Sequence, residues 1–73
     1  MEDHIRAIIY NNNLDIYEKC EAIENYTKGT EYEDDLRYNI ACALSAGASK
    51  EELIEKIPII CEEYIELHNS HKS

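Results

Sequence analysis

Along the first ten residues the apolar side chains fall at Ile5, Ile8 and Ile9, the three-and-four spacing of one helical face. That pattern predicts a first helix over 2–10, ended by the run Asn11, Asn12, Asn13. The spacing resumes at Ile16, Cys20, Ile23 and Thr27, with Asp15, Glu18, Glu21 and Asn25 on the other side. It predicts a second helix over 14–28, flanked by Tyr17 and Tyr26, with Asn13 as its N-cap. Gly29 stands where a left-handed residue closes a helix. A third stripe, Tyr32, Leu36, Ile40, Ala43 and Leu44, predicts a helix over 31–46. Thr30 with Glu33 reads as a capping box at its start, and Gly47 as its closure. Ser49 with Glu52 forms a second capping box and predicts a fourth helix over 50–67. Residues 69–73 are expected to fray as a tail, leaving 1–68 as a single helical domain. With no strand pattern and no internal repeat, the fold class is all-α, a compact bundle of four short helices.

The fourth segment departs from this regularity. Leu53, Ile54, Ile57, Ile60, Cys61, Tyr64, Ile65 and Leu67 cover about half of the helix circumference. Ile59 falls outside that arc, among Glu55, Glu62, Glu63 and Glu66. Pro58 removes the bond to the Ile54 carbonyl and pushes against it, at a cost of about 3 kcal/mol in a straight helix. A helix kinked or broken at Pro58 is therefore expected.

Length sharpens the meaning of this surplus apolar face. A chain of 73 residues builds a core that supplies only about 3–5 kcal/mol, and oligomerisation is a common remedy. A homodimer is expected on this ground, through Ile54, Ile59 and Ile65. Composition adds a hint of origin. Eleven Ile and six Tyr, with no Val, Phe or Trp, accompany abundant Asn, Lys and Glu. AT-rich codons produce that bias, which points to a low-GC bacterium, its phage or a mobile element.

Charge narrows the partners. Sixteen acids against seven bases leave a net charge of −9, which disfavours direct contact with nucleic acid or anionic lipid and favours a protein partner with a basic surface. No apolar run approaches the 18–20 or so residues of a membrane span. No basic segment followed by a long apolar run opens the chain, and three cysteines, an odd number, suit a reducing compartment. A cytoplasmic protein is expected.

Candidate chemistry is sparse. Cys20, Cys42 and Cys61 lie on three different helices with no C-x-x-C spacing, and His4, His68 and His71 lie near the chain ends. Neither set has the fixed geometry of a metal site. No nucleophile–base motif or phosphate loop can be read, so no cofactor and no enzymatic activity are expected. A thiol-based enzyme using Cys42 or Cys61 is the alternative. Binding has more to build on. Glu31, Glu33, Asp34 and Asp35 crowd the start of the third helix, where carboxylates gain about 0.3–1 kcal/mol each from the helix dipole. Tyr38 shares a side with Glu31, Asp35 and Cys42, and tyrosine is a leading contact residue at protein interfaces. The expected partner-binding residues are Glu31, Asp34, Asp35, Tyr38, Ile59, Glu62, Glu63 and Glu66. The expected function is that of a small acidic helical module that regulates or inhibits a larger macromolecule, such as a phage or mobile-element antagonist of a host nucleic-acid-handling or defence protein. A structural homodimer without inhibitory role is the other binding alternative.

The stretch ALSAGASKEELIE, residues 43–55, resembles the segment after the catalytic helix of the alkylhydroperoxidase/carboxymuconolactone decarboxylase family. Aligned on Gly47 and Ala48, that family's two cysteines fall near Tyr32 and Asp35, and its histidine near Asn39. None of its redox residues is present, so the resemblance implies shared helix punctuation, a closing glycine followed by a capping box, and no redox site.

Overall fold

In the computed structural model the chain is described over residues 2–72, with side chains over residues 3–70. Among the described residues there are four α-helices, one π-helical turn and no strand. Helix α1 spans Glu2–Ile9, α2 Ile16–Thr27, α3 Tyr38–Ser45 and α4 Lys50–Lys72, with the π turn over Glu33–Arg37. The all-α bundle expected from periodicity is the architecture observed. The inward positions follow the stripes closely. Ile5, Ile9, Ile16, Cys20, Ile23, Tyr32, Leu36 and Ile40 are buried and meet Leu53, Ile57, Cys61 and Ile65, which recur every fourth residue along α4. Thr27 joins them because its hydroxyl donates to the Ile23 carbonyl at 2.7 Å, which satisfies the buried polar group.

Helix α4 organises the packing. At 23 residues it is about 34 Å long, enough to run the 36 Å length of the molecule. Helices α1 and α2 and the π turn all pack on it, while α3 leans mainly on the π turn and α2.

Several boundaries differ from the sequence expectation, each for a local reason. Helix α2 begins two residues later than expected, because Asp15, and not Asn13, caps it. The Asp15 carboxylate accepts from the Glu18 N–H at 2.8 Å and the Glu18 carboxylate accepts from the Asp15 N–H at 3.1 Å, a complete capping box. The Asn13 N–H is drawn instead to the Asn11 side chain at 2.9 Å. The expected capping box of Thr30 and Glu33 does not form. The Thr30 hydroxyl donates backwards to the Thr27 carbonyl at 2.6 Å, and the Glu33 carboxylate accepts from the Gly29 N–H at 3.1 Å. Without that cap the chain opens as a turn and a π segment, in which the Tyr32 carbonyl accepts from both the Leu36 and Arg37 N–H groups, at 2.9 and 3.2 Å.

The closures behave as the glycines require. Gly47, at φ +78°, completes a Schellman motif in which the Ala48 N–H reaches the Ala43 carbonyl and the Gly47 N–H reaches the Leu44 carbonyl, both at 3.2 Å. Ser49 then accepts from the Glu52 N–H at 3.2 Å and starts α4. Pro58 does not divide α4, which passes through it as one helix. Ile54 is 53% exposed, so solvent reaches the turn whose hydrogen bond Pro58 removes. Beyond Leu67 the helix continues to Lys72 where a frayed tail was expected. Residue 73 lies outside the described residues.

Candidate functional site

The strongest candidate surface begins at the π turn. Leu36 and Ile40, four residues apart, are both buried and fix which way the segment faces. Asp34, Asp35 and Tyr38 are thereby turned outward, and Glu31 is exposed in the turn before them. Tyr38 is 65% exposed. The Cys42 side chain one turn on raises the phenol above its ordinary value, by hydrogen bonding first and by charge second. Tyr38 therefore stays a neutral phenol at physiological pH, with most of its surface open to solvent. Asn39 secures this segment to α4, since its amide donates to the Asp35 carbonyl at 2.7 Å and to the Tyr64 hydroxyl at 2.6 Å. The acidic charge here is only partly neutralised. Arg37 reaches the Glu33 carboxylate at 3.7 Å, and among the described residues no ion pair involves Asp34 or Asp35.

A second group lies on the outer side of α4. Ile59 is 53% exposed, and Glu63 and Glu66 lie within about 40° of it around the helix. Glu62 does not belong to an open acidic patch. Its carboxylate accepts from the Arg6 guanidinium at 3.0 Å and ties α1 to α4. The expected partner-binding residues thus separate into Glu31, Asp34, Asp35 and Tyr38, in and on either side of the π turn, and Ile59, Glu63 and Glu66 on α4.

The proposed homodimer set is corrected by burial and by helix geometry. Ile65 is fully buried in the core, because it continues the Leu53, Ile57, Cys61 seam. Ile54 and Ile59 are exposed, but five residues place them about 140° apart around the helix. One flat interface does not take both.

The thiols divide in the same way. Burial pushes the Cys20 thiol up to about 11 and the Cys61 thiol up to about 12, so both stay protonated at neutral pH. Cys61 is a core residue and has none of the thiolate character that nucleophilic chemistry needs. Cys42 is exposed, with Tyr38 as its neighbour. Of the histidines, His4 stacks on Tyr26 with ring centroids 4.1 Å apart, and His68 rests against the buried Tyr32 at the same separation. The His71 side chain lies outside the described residues. No group of His, Cys, Asp and Glu able to hold a metal ion is found among the described residues, and no described helix is long and apolar enough to cross a membrane.

Periodicity could not have found the Asn39–Tyr64 clamp or the Arg6–Glu62 tie, which join residues far apart in the chain. It also missed a recess between the end of α3 and α4, whose α3 side is Ala43, Ala46, Gly47 and Ala48, small residues that carry little hydrophobic signal. No protein-family model matches the chain, and neither a curated protein nor a solved structure matches it at a significant level.

Proposed function

We propose that this chain is a non-enzymatic protein-binding module that engages a basic protein surface through the face formed by Asp34, Asp35 and Tyr38. The observation that carries this reading is the position of Tyr38, a large aromatic 65% exposed at the edge of an acidic turn, with Cys42 one turn on. An exposed tyrosine supplies a large amphipathic contact area, and neighbouring carboxylates supply steering towards a cationic partner. The finer version is regulatory. The acidic face occupies a basic groove of a nucleic-acid-handling protein and so inhibits it, in the manner of a phage or mobile-element antagonist. Affinity capture from a low-GC bacterial lysate with mass spectrometry tests the reading. Wild type is expected to retain basic proteins at low ionic strength that Tyr38→Ala does not retain. Equal retention by both would remove Tyr38 from the site.

A second reading, self-association, is favoured by a separate observation. Half-buried Ile60 lines an open recess between α3 and α4, and Leu67, two turns farther along the same side of α4, is 47% exposed.

A further inference from the structure

The recess between the end of α3 and the first half of α4 has a volume of about 360 Å³. One wall is small, Ala43, Ala46, Gly47 and Ala48, the other is formed by Glu52, Lys56 and Ile60 of α4, and Leu53 and Ile57 form the floor. It exists because the Schellman turn at Gly47 reverses the chain with no side chain large enough to fill the angle between the two helices. Farther along α4, Leu67 projects from the same side as a knob beside a shallow depression it shares with Glu63 and Tyr64, and is 47% exposed.

Recess and knob are related by a simple reversal of the helix. Leu53, on the floor of the recess, and Leu67 each stand seven residues from Ile60, about 10.5 Å along the axis on either side. Lys56, Ile60, Glu63 and Leu67 share an arc of about 60° around α4. Lys56 precedes Ile60 by four residues and Glu63 follows it by three, so reversal about Ile60 exchanges a cation and an anion to within about 1.5 Å. Among the described residues neither Lys56 nor Glu63 takes part in an ion pair. A face that carries its own complement across a dyad is the signature of an isologous contact.

We infer that the chain pairs with a second copy of itself across this face, with the two α4 helices antiparallel about Ile60, Leu67 of each seated in the α3–α4 recess of the other, and Lys56 of each beside Glu63 of the other. This deepens the self-association reading and replaces the Ile54, Ile59 and Ile65 face. It does not depend on the acidic-face reading, because Asp34, Asp35 and Tyr38 lie outside the contact. A second copy fits better than an unrelated apolar helix because the charge pattern is matched to itself.

Sedimentation equilibrium of the full chain, from micromolar to near-millimolar concentration, tests the inference. Wild type is expected to show a monomer–dimer equilibrium. Lys56→Glu and Glu63→Lys are each expected to weaken it by about fivefold or more by opposing like charges twice across the dyad, and the double swap is expected to restore it. Glu63→Lys is the most telling arm. It lowers the net negative charge, so relief of general repulsion alone would tighten the dimer, whereas the proposed pairing loosens it. Ala46→Glu, which places a carboxylate in the recess at an exposed position, is expected to leave a monomer, with far-UV circular dichroism confirming the fold. Tyr38→Ala is expected to dimerise as wild type does, which separates failure here from failure of the acidic-face reading. A wild type that stays monomeric throughout, a Glu63→Lys variant that dimerises more tightly, or a double swap that fails to restore pairing overturns the inference.

Discussion

At Tyr38 the side chain touches the core so little that its removal tests recognition without disturbing the fold, and the cysteines offer the reverse case. Cys20 and Cys61 are buried on facing helices, and burial raises both thiols from the ordinary value of 9.0 to about 11 and about 12. In the unfolded chain these thiols ionise near their ordinary value, while the folded chain holds them protonated. The unfolded state therefore binds fewer protons in that window, and stability falls as pH rises from 9.0 towards the folded values. Below 9.0 this contribution is fully present. Urea midpoints measured at successive pH values should decline across that range, and the double variant Cys20→Ala, Cys61→Ala should decline less steeply, whatever its starting stability. Parallel profiles would show that the thiols are not held neutral by burial. The inward role of both cysteines was legible in the sequence, since each sits on an apolar stripe at helical spacing. The Cys42–Tyr38 pair was legible only as a shared side, because a hydrogen bond depends on rotamers that spacing does not fix.

At the scale of the elements, the two punctuation residues that shape α3 and α4 make opposite predictions. Gly47 sits at φ +78° with open space around its Cα, so Gly47→Ala meets backbone strain and no clash. It should lower stability by about 1 kcal/mol, read from thermal or urea unfolding. Pro58 sits inside α4 and removes one helical hydrogen bond. Pro58→Ala should return an N–H to the Ile54 carbonyl and raise stability by about 1 kcal/mol or more, a fraction of the roughly 3 kcal/mol cost of an interior proline because part of that cost is already relaxed. A destabilised Pro58→Ala would mean that the ring contributes more through packing than it costs the helix. Caps were the least legible elements. Asn13 and Asp15 are both competent, and the choice turns on Glu18 lying three residues after Asp15. The Thr30–Glu33 pair has the same spacing, yet the closing turn of α2 takes the Thr30 hydroxyl first. The π turn left no trace in the periodicity because Leu36 and Ile40 keep their four-residue spacing through it.

At the scale of the molecule, the bundle leaves two surfaces of different character. One is the acidic turn with Tyr38, and the other is the α3–α4 recess with its knob at Leu67. The stripes made the core readable, down to Thr27 among apolar neighbours. They overstated the outward face of α4, because a wheel cannot say where neighbouring helices stop. Ile65 is covered by them and Ile54 is not. Glu62 looked like part of an open acidic patch for the same reason, since Arg6 reaches it only once α1 is docked. The account's central claim is that the acidic, tyrosine-bearing turn recognises a basic protein surface. Affinity capture over a salt series tests this most directly, comparing wild type with the triple variant Asp34→Asn, Asp35→Asn, Tyr38→Ala. The account predicts that wild type retains a set of basic proteins at low ionic strength, releases them as salt screens the contact, and that the triple variant retains none of them. Retention that ignores salt, or that survives the triple substitution, would contradict it.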